Sequence, residues 1–472
     1  MDGLVVIILA AGLGKRMKSK KPKILHTLAG QPMITYVVRQ AIALTPERTI
    51  IVIGNHTEEI KNYIRDDSVE FVYQMEQLGT GHAVSATGDM LNDFDGTILI
   101  LCGDVPLISI ESLHRLIDVH RTERNHLTCI TTTVTNPEGY GRVIRDDKGR
   151  LLKIVEEKDA TDIEKKTKEI NSGIYAVEKK FLYTALKSIS NENIQGEYYL
   201  TDIINVGITE GAKMGTIGVE NPIEVMGIND RRELSEAERY LRKQKLNDLM
   251  LNGVTIYDPE NTYIHTCVTI GRDTTIYPNT FIEGNTTIGE DCVICPNVRI
   301  IDSRIGDSVI IKDGCVIMNG EIENNVSIGP FAHIRPETII GKGAKIGNFV
   351  EIKKSTIGED TKAMHLSYIG DATIGKGANI GAGTITCNYD GFKKHRTIID
   401  DGVFVGSDTQ FIAPVHIGRG AVIGAGSTIT KDVPPDALAI SRVEQVNKNG
   451  WSLKRQSKVK SLKLKSKNRK GK

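Results

Sequence analysis

The feature that most constrains this chain is an isoleucine that returns every six residues. The spacing is regular at Ile270, Ile276, Ile282, Ile288, Ile294 and Ile300. It continues with single-residue slips to Ile352 and, after interruptions, ends at Ile429. Six residues at about 100° each leave side chains about 240° out of phase on a helix, whereas six is a multiple of the strand period. The repeat therefore predicts a β-solenoid in which each hexad is one short strand plus a turn.

The repeat is interrupted twice by residues that stacked coils do not need. It weakens between Ile357 and Ile369 and gives way again between Ile380 and Ile399, where polar and aromatic residues replace isoleucine. Loops displaced from a rigid scaffold commonly carry functional residues. We therefore expect a site at these two interruptions. The alternative is a spacer or trimerisation rod that has no chemistry and only presents a surface.

Length and composition describe a globular protein of several domains. The 472 residues, of which 40% are hydrophobic and 25% charged, suggest two to three domains with an ample core. No apolar run reaches the ~20 residues of a membrane span, and the apolar segment 4–11 follows an acid and no base, unlike a signal peptide. We expect a cytoplasmic protein. Its seven cysteines are scattered, and Cys292 and Cys295 fall on repeat positions, which favours packing over zinc binding.

Charge is distributed unevenly along the chain. Residues 453–472 contain ten Lys or Arg and no acid, so the remainder has 50 basic residues (60 less 10) against 59 acidic ones. Such a tail is typical of a disordered, solvated end. Binding to nucleic acid, another polyanion or an anionic membrane surface is less favoured, because no aromatic residues interleave the lysines as base stacking requires.

The first half of the chain alternates strand-like and helix-like segments. Strand patterns occur at residues 5–10, 49–53, 69–72, 98–101 and 127–134. Helical spacing between several of them predicts a mostly parallel α/β sheet. Because ligands of such sheets bind at the carboxyl ends of the strands, we expect a site there.

The first predicted strand is followed by a glycine turn with cations nearby. Gly12 and Gly14 would let backbone N–H groups approach a phosphate, and Arg16 and Lys23 would supply charge. A P-loop is excluded because Gly-Lys-Ser/Thr is absent, and a dinucleotide fingerprint is excluded because its third glycine position is Met17. The turn predicts a phosphate site of another kind.

The fourth predicted strand ends in an acid, Asp104. A carboxylate at a strand end is well placed to hold Mg²⁺ on a nucleotide, since Mg²⁺ uses one or two protein oxygens and leaves the rest to phosphates and water. For this residue taken alone, a turn-forming aspartate is an equally good explanation.

Together these motifs resemble those of the sugar nucleotidyltransferases. The segments that carry the resemblance are Gly12-x-Gly14-x-Arg16-Met17, Pro22-Lys23, residues 74–83, Gly103-Asp104-Val105-Pro106, Gly139-Tyr140-Gly141-Arg142 and residues 196–202. Joined to the hexad repeat, they make the chain, except for its basic tail, similar to the bacterial family of bifunctional N-acetylglucosamine-1-phosphate uridyltransferases and glucosamine-1-phosphate acetyltransferases. The resemblance implies an α/β Rossmann-like nucleotidyltransferase domain followed by a left-handed parallel β-helix, assembled as a homotrimer.

The resemblance also implies roles for residues of the first domain. Arg16 and Lys23 match catalytic positions, and Asp104 and Asn229 match the Mg²⁺ ligands. The residues that match the binding site for UTP and UDP-N-acetylglucosamine are Leu9, Ala10, Ala11, Gly12, Lys23, Gln74, Gly79, Thr80, Gly103, Gly141, Glu156, Asn171 and Asn229.

In the solenoid, the resemblance implies that His365 is the catalytic base. Imidazoles as a class titrate near neutral pH, which suits them to take a proton from the amine of glucosamine 1-phosphate as it attacks acetyl-coenzyme A. The matches to the sugar-phosphate site are Arg335, Lys353, Tyr368 and Asn379. The matches to the acetyl-coenzyme A site are Ala382, Asn388, Tyr389, Ser407, Ala425 and Arg442.

The expected domains are 1–229 for nucleotidyl transfer, 230–253 for a linker helix, 254–437 for the β-helix and 438–472 for a carboxyl-terminal extension. Three residues depart from the family pattern, where threonine, an aromatic residue and a small residue are usual: Lys15, Cys102 and Met364. None of these departures removes an acid, a base or a metal ligand.

Other functions fit the same two folds. A single-activity sugar-phosphate nucleotidyltransferase would have a regulatory or oligomerising solenoid, in which His365 and Lys353 are dispensable. A non-catalytic assembly subunit would be expected to lose Arg16, Lys23 or Asp104, and all three are present. A carbonic anhydrase of the hexapeptide type would need three histidines on one metal, and no local ligand spacing favours that.

Overall fold

The computed structural model of the protein describes residues 3–12, 14–54, 57–64 and 66–469. Contacts divide the chain into two units. The first, here called the amino-terminal unit, comprises Met1–Asp248 and Ile264–Cys267, and the second, the solenoid unit, comprises Leu249–Tyr263 and Val268–Lys472. The domain boundaries expected from the sequence stay a prediction.

Strands and helices alternate through the first half of the chain. The strands are β1 (Gly3–Leu9), β2 (Thr27–Leu28), β3 (Gln31–Pro32), β4 (Arg48–Ile53), β5 (Val69–Tyr73), β6 (Gly96–Cys102), β7 (Leu127–Thr133), β8 (Arg142–Arg145), β9 (Leu151–Val155), β10 (Glu169–Glu178) and β11 (Met214–Gly218). The helices are α1 (Met33–Ala43), α2 (Thr57–Tyr63), α3 (Thr80–Ser85), α4 (Ile110–Glu123), α5 (Lys179–Ala185), α6 (Asp202–Thr209) and α7 (Arg231–Leu251). Short 3₁₀ helices span Lys15–Met17, Lys23–Leu25, Gly88–Leu91, Glu164–Lys166, Pro222–Val225 and Pro259–Asn261.

The main sheet of the amino-terminal unit has the strand order β11-β7-β10-β6-β1-β4-β5, with β8 and β9 added at β10. Strand β1 pairs in parallel with β4 and β6, so that Leu9 lies opposite both Val52 and Cys102. Strand β10, however, runs antiparallel to β6 and β7. The five strands predicted from the sequence, here β1, β4, β5, β6 and β7, run parallel as expected, and the antiparallel β10 between β6 and β7 makes the sheet a mixed one. No α-helical crossover lies between β7 and β10 among the described elements, and only a parallel return requires one.

Both faces of this sheet are buried. Val6 and Ile8 belong to the cluster that includes residues of α1 and α4. Val5 and Ile7 belong to a second cluster, which includes residues of α3, α5 and α6. Successive side chains of a strand point to opposite faces, so a run of apolar residues such as 4–9 fits a strand covered on both sides. The two layers of helices hold the strand ends in a fixed arrangement.

The solenoid unit is built from three stacks of short parallel strands. The first stack contains Thr255–Ile256, Thr275–Ile276, Val293–Ile294, Ile310–Ile311, Ser327–Ile328, Lys345–Asn348, Lys362–His365, Asn379–Ile380, Phe404–Val405, Val422–Ile423 and Leu438–Ala439. The second contains Thr262–Ile264, Thr280–Glu283, Arg299–Ile301, Val316–Met318, His333–Ile334, Glu351–Lys353, Tyr368–Gly370, Ile385–Cys387, Gln410–Ile412 and Thr428–Ile429. The third contains Thr269–Ile270, Thr287–Ile288, Arg304–Ile305, Gly320–Ile322, Thr338–Ile340, Thr356–Ile357, Ala372–Ile374, Thr397–Ile399 and Val415–Ile417.

The register of these stacks confirms the inward-facing repeat. Ile276 pairs with Ile294, and Ile294 pairs with Ile311, so a residue meets its equivalent one coil later. All three isoleucines are fully buried. Glycines beside them allow the coils to approach closely: a Cβ on Gly271 would lie 2.7 Å from the backbone of Gly289.

The first expected interruption is not a displaced loop. Residues Lys362–His365 form a strand of the first stack, and Ala363 pairs with Ile346 before it and Ile380 after it. Ala363 is fully buried. A smaller side chain thus occupies the isoleucine position without breaking the coil, and the expectation of a loop here was wrong. The second interruption is real, since Ile374 pairs with Ile399 at a separation of 25 residues (399 less 374).

The end of the chain also differs from expectation. We expected residues 453–472 to lack regular structure, whereas a helix, α8, spans Trp451–Arg469. Lysine, arginine and leucine all have high helix propensity, which explains how so basic a segment can be helical. Its residues 451–462 are exposed. Within the described ranges, no helix combines the length and apolar character needed to cross a membrane.

Candidate functional site

The carboxyl ends of β1 and β6 open into a cavity of about 630 Å³. Of the residues implicated by sequence, its lining includes Leu9, Ala10, Ala11, Gly12, Gly14, Arg16, Lys23, Gln74, Gly79, Thr80, Asp104 and Asn229. Lys15 and Cys102, two of the departures from the family pattern, line it as well. The strand-end rule therefore located this cavity correctly.

Several lining residues were missed by sequence reasoning. They are Ile24, Gln77, Ala83, Lys158, Gln195 and Glu197. Gln77, Ala83 and Glu197 lie inside motifs that carried the family resemblance, so a signal for them existed. Lys158 and Gln195 lie in no such motif, yet the Lys158 ammonium donates a 2.7 Å hydrogen bond to the Gln195 side-chain oxygen.

The glycine turn after β1 has one position that only glycine suits. Gly14 has φ of +59°, and a Cβ there would lie 2.5 Å from the Cβ of Lys23. Glycine both adopts this left-handed conformation without strain and leaves room for Lys23. Arg16 follows in a 3₁₀ helix and is exposed. Three cations of this region therefore line the cavity: Lys23 is largely enclosed, whereas Lys15 and Arg16 are exposed and free to reach a ligand.

Two oxygen ligands converge on a cation that lines the cavity. The Lys23 ammonium donates to the carboxylate of Asp104 and to the side-chain oxygen of Asn229, the latter at 2.6 Å. The Ile228 backbone N–H donates to the Asp104 carbonyl at 2.9 Å, which ties the two ligand-bearing loops together. A carboxylate and an amide oxygen are the hard donors that a divalent cation prefers.

The donor set of this cluster is small. Within the described ranges, no group of three or more His, Cys, Asp or Glu side chains is placed to hold a metal ion. A metal at Asp104 and Asn229 would therefore take its remaining ligands from water and from a bound phosphate, as Mg²⁺ in nucleotide sites does. The site fits a metal that arrives with its substrate.

The loop between β5 and α3 is fixed before any ligand binds. The Gln74 side-chain N–H₂ donates to the Gly79 carbonyl at 3.0 Å. Gly79 has φ of +111°, and a Cβ there would lie 2.6 Å from the Tyr198 carbonyl oxygen. The Thr80 hydroxyl accepts from the Leu200 N–H at 3.0 Å. These bonds hold the cavity-lining segment 74–80 against residues 198–200 behind it.

Three other implicated residues form a neighbouring cluster that does not line the cavity. The Asn171 N–H donates to the Gly141 carbonyl at 2.9 Å, and a Cβ on Gly141 would lie 3.5 Å from a carboxylate oxygen of Glu156. Burial raises the pKa of Glu156. The Thr201 hydroxyl donates a hydrogen bond to the Glu156 carboxylate at 3.0 Å, which acts in the opposite direction and only partly offsets the effect of burial. The side-chain oxygen of Asn171 is buried and accepts no hydrogen bond within the described chain. Such an orphan acceptor is suited to a ligand hydroxyl.

Gly103 has a structural explanation instead. Its N–H donates to the Leu9 carbonyl at 2.9 Å, and a Cβ there would lie 3.0 Å from that oxygen and 3.0 Å from the Ile34 side chain. It lines no part of the cavity. The residue therefore lets β6 lie close to β1 and so positions Asp104.

In the solenoid unit, His365 is exposed at the end of its strand. Its Nδ1 lies 2.9 Å from the side-chain oxygen of Asn348 in the preceding coil. Met364, the third departure from the family pattern, is exposed beside it. Asn348 was not predicted from the sequence, because nothing in the hexad spacing marks which residue of the previous coil faces a given side chain.

A group of cations lies at the ends of second-stack strands in the coils near His365, which itself ends a strand of the first stack. Arg335 donates to the Glu351 carboxylate at 2.7 Å. The pKa of Lys353 is lowered, first because the Lys394 ammonium approaches within hydrogen-bonding reach, then because of partial burial and the charge of Arg335. Mutual repulsion of this kind is relieved when an anion binds. Lys394 was missed by sequence reasoning, although it lies in the second interruption of the repeat.

The loop that carries Lys394 is held by its own hydrogen bonds. The Asp390 carboxylate accepts from the N–H groups of Phe392 at 2.8 Å and Lys393 at 2.6 Å. The same carboxylate lies 2.6 Å from His395 Nε2. These contacts hold the pKa of Asp390 well below its usual range. The loop is therefore a compact hairpin, which presents Lys394 from a fixed backbone.

The base of this loop meets Tyr368. The Asn388 side-chain N–H₂ donates to Asp371 at 2.6 Å and lies 3.5 Å from the Tyr368 hydroxyl. A Cβ on Gly370 would come within 2.5 Å of that hydroxyl. Asn388 is buried, whereas Tyr389 is 61% exposed and open to a ligand.

Three residues that match the acetyl-coenzyme A site, Ala382, Ser407 and Ala425, lie at one corner of successive coils, each after a strand of the first stack. Asn388 and Tyr389 lie at the next corner, after a strand of the second stack. The Ala382 carbonyl accepts from Asp408, the Ser407 carbonyl accepts from Gly426, and the Ala425 carbonyl accepts from Arg442. Glycines again permit close stacking, since a Cβ on Gly406 would lie 2.5 Å from the Ala425 nitrogen. Small side chains along this corner leave space for an extended ligand. Asn379 lies in the first stack, where it pairs with Lys362 and Phe404.

The fold and the site define a nucleotidyl transferase joined to a hexapeptide-repeat transferase. Residues 5–220 match the Nucleotidyl transferase family. Residues 267–302, 319–354 and 396–431 match the family Bacterial transferase hexapeptide (six repeats). The parallel stacks of the solenoid unit are consistent with the left-handed β-helix of hexapeptide proteins.

Comparison with whole proteins gives the particular family. The chain is 51% identical over 456 residues to Bifunctional protein GlmU of Geotalea uraniireducens, with 96% of this chain and 100% of that protein covered. It is 51% identical over 451 residues to Bifunctional protein GlmU of Caldanaerobacter subterraneus subsp. tengcongensis and 48% identical over 455 residues to that of Acetivibrio thermocellus, each covering 96% of this chain and 98% of the relative. The chain belongs to the bifunctional GlmU family. Membership of this family implies a divalent metal ion at the nucleotidyl transfer site, which the donor pair Asp104 and Asn229 fits.

Proposed function

We propose that the chain makes UDP-N-acetylglucosamine in two steps. The solenoid unit transfers an acetyl group from acetyl-coenzyme A to glucosamine 1-phosphate. The amino-terminal unit then transfers UMP from UTP to N-acetylglucosamine 1-phosphate. The observation that carries the proposal is that one chain of this family has a set of residues for each reaction. In the amino-terminal unit, two side-chain oxygens contact the Lys23 ammonium. In the solenoid unit, the His365 imidazole lies in the same set of coils as the Lys353 and Lys394 cations.

Nucleotidyl transfer needs little covalent help from the protein. A phosphate oxygen of the sugar phosphate attacks the α-phosphorus of UTP, a new P–O bond forms, and the bond to the β-phosphate breaks to release pyrophosphate. Positioning and charge neutralisation account for most catalysis of this kind. Lys23 and Arg16 supply positive charge at the cavity, and the backbone around Gly12 and Gly14 can approach the phosphates.

Mg²⁺ is the proposed divalent ion, held by Asp104 and Asn229. When bound, it would neutralise charge on the phosphates. The Lys23 ammonium keeps the same two oxygens together, so the ligands are arranged before substrate arrives. For the sugar, we propose that Asn171, with its unpartnered buried oxygen, and Glu156 accept hydrogen bonds from hydroxyl groups near Gly141.

Acetyl transfer requires that an amine lose a proton. The amine nitrogen of glucosamine 1-phosphate attacks the thioester carbonyl carbon, the C–S bond breaks, and the coenzyme leaves as a thiolate. His365 takes the proton from the amine and returns it to the thiolate, so the imidazole ends as it began. Arg335, Lys353 and Lys394 hold the sugar phosphate.

The remaining matched residues place the two substrates. Tyr368 and Asn379 are proposed to contact the sugar phosphate. The acetyl donor is proposed to lie along the corner that carries Ala382, Ser407 and Ala425, where small residues allow close approach. Arg442, which donates to the Ala425 carbonyl, and Asn388 and Tyr389, which lie at the next corner, are proposed to complete its site.

We propose further that the chain forms a homotrimer through the solenoid. Phe331, Phe349 and Leu366 occupy one corner of three successive coils and are 54%, 57% and 65% exposed. Each has positive φ, a conformation that costs a bulky residue on the order of 1–3 kcal/mol, and exposed apolar columns of this kind commonly mark contact surfaces. Phe349→Asp should convert trimers to monomers in light scattering, whereas Phe392→Asp, at the exposed loop tip, should not. Trimers that persist in Phe349→Asp would assign the contact to another face.

The two activities are tested separately on the purified full chain. Coenzyme A thiol release is measured with glucosamine 1-phosphate and acetyl-coenzyme A, and pyrophosphate release is measured with N-acetylglucosamine 1-phosphate, UTP and Mg²⁺. Both signals are expected, and UDP-N-acetylglucosamine should accumulate when all substrates are combined. Pyrophosphate release without thiol release would favour a single-activity nucleotidyltransferase whose solenoid is regulatory or oligomerising.

A further inference from the structure

We infer that Asn348 is a positioning residue for His365, whose tautomer it fixes so that Nε2 is free to accept a proton. The inference rests on the proposed acetyl transfer and deepens it. No motif in the sequence marks Asn348, and it is not among the residues matched to the substrates.

The contact follows from the register of the first stack. Asn348 and His365 are opposite residues of neighbouring parallel strands, and the Leu366 N–H donates to the Asn348 carbonyl at 3.0 Å. The side-chain oxygen of Asn348 lies 2.9 Å from His365 Nδ1. An amide oxygen only accepts hydrogen bonds, so Nδ1 must carry the proton. Nε2 then has the free lone pair that a general base requires.

The backbone around this pair allows little adjustment. A Cβ on Gly347 would collide with the Met364 carbonyl, which shows how closely the two strands approach. The Ser367 hydroxyl donates to the His365 carbonyl at 2.8 Å, which restrains the other side of the histidine. With the backbone held, the ring orientation of His365 depends on its bond to Asn348.

The identity of the partner as a neutral amide is chemically significant. The strand before His365 has one charged residue, Lys345, which pairs with Lys362, and the strand after it, Asn379–Ile380, has none. No carboxylate in these three strands competes for Nδ1. A carboxylate there would stabilise the protonated imidazole, which cannot act as a base, whereas an amide fixes the tautomer without that effect.

Asn348→Ala and Asn348→Asp test the inference in the full-length protein. Asn348→Ala should lower kcat for acetyl transfer about 10- to 100-fold, the usual effect of removing a residue that orients a histidine, with KM for both substrates within about twofold. Asn348→Asp should retain more activity than Asn348→Ala at high pH. The acidic limb of its pH–rate profile should shift to higher pH than in the wild type. Asn324→Ala is the matched control, because the side-chain oxygen of Asn324 also makes a contact between coils, accepting from the Asp307 N–H at 2.9 Å.

A spectroscopic measurement separates this inference from the proposed function. In protein labelled with ¹⁵N-histidine, the His365 signals, identified by their loss in His365→Ala, should show the Nδ1–H form in the wild type and a mixture of tautomers in Asn348→Ala. If the wild-type protein showed no acetyl transfer, the proposed function would be overturned. The tautomer measurement would still report whether Asn348 fixes the protonation of His365 at Nδ1. Unchanged tautomer and unchanged kcat in Asn348→Ala, or an equal loss of kcat in Asn324→Ala, would overturn the inference.

Discussion

The ammonium of Lys23 is bound by Asp104 and Asn229, which lie 81 and 206 positions away along the chain. Three distant segments therefore meet at one charge. The Lys23 side chain is only 11% exposed, so little water screens these contacts. The lysine can hold the two oxygens in place when no metal is present, and it remains as a positive neighbour for phosphates.

Replacement of Asp104 should separate the two activities. Asp104→Ala is expected to abolish metal-dependent pyrophosphate release, since it removes the only carboxylate of the oxygen pair, and to leave thiol release unchanged. Asp89→Ala, which alters an exposed aspartate of the same unit, is the control and should affect neither. Titration of both assays with EDTA provides a second check: acetylation that fell as steeply as uridylyl transfer would show that the metal is not confined to the amino-terminal unit.

Removal of the proposed base should affect acetyl transfer alone. His365→Ala is expected to slow thiol release about 10²- to 10⁴-fold, the usual contribution of a general base, with little change in acetyl-coenzyme A binding and none in pyrophosphate release. His416→Ala provides a matched control, because His416 is also exposed on the solenoid and lies 3.0 Å from Asp400. Near-normal turnover in a thermally weakened His365→Ala protein would mean that the imidazole only packs its turn.

Lys394 should contribute to sugar-phosphate binding although no repeat position marks it. Lys394→Met is expected to raise KM for glucosamine 1-phosphate about 10- to 100-fold, because a hydrogen bond to a charged group contributes about 1.5–3 kcal/mol. The neighbouring Lys393→Met should leave KM within about twofold. Steady-state kinetics at varied glucosamine 1-phosphate distinguish the two, and equal effects of both changes would point to general loop charge rather than to Lys394.

His120 should make the protein less stable in mild acid. Burial, with smaller effects of Arg121 and His126, lowers the pKa of His120 from its usual 6.5 to about 4. Its Nδ1 lies 3.1 Å from the Thr128 hydroxyl, and the Glu178 carboxylate is 3.7 Å from Nε2. The unfolded chain therefore binds a proton more readily than the folded one between these two values, so stability is lost as the pH falls from above 6.5 towards 4.

His120→Gln removes this linkage while retaining a polar side chain. At pH 5 the linkage amounts to about 2 kcal/mol, so Tm of the variant relative to wild type should rise between pH 7.5 and pH 5. Thermal unfolding at the two pH values measures the difference. His114→Gln, on the exposed side of the same helix, should show no such change. A Tm difference that stays constant with pH would contradict the shifted titration of His120.

The sequence was informative wherever a short-range pattern determines the structure. The six-residue spacing identified the inward-facing isoleucines, and the glycine turn after the first strand located Lys23 at the cavity. Pattern alone could not tell Ala363, a small residue in an intact coil, from a true break, because both look like a missing isoleucine. The antiparallel β10 was also missed, since strand direction depends on how long connections cross the sheet.

Contacts between coils were the least accessible part of the site. Asn348 faces His365 only because the two coils pair in a particular register. A shift of one residue in that register would place a different residue opposite His365. Lys394 was hidden for a related reason: the hairpin that presents it depends on the Asp390 carboxylate, which binds its own loop. Gly141, Glu156 and Asn171 were matched to the nucleotide and sugar site, which stays a prediction; that they cluster together and do not line the cavity required coordinates.

The separation of 25 residues between Ile374 and Ile399 has a consequence for how such a chain can change over time. In a stack where each coil contacts only its nearest neighbours, stability is close to a sum of local contributions. Lengthening one corner adds only loop-closure entropy, about 0.6 kcal/mol for each doubling of length. A new hairpin such as 388–396 can thus be inserted, tested and altered by mutation while the coils on either side keep their register. The solenoid is a scaffold in which chemistry can be acquired one corner at a time.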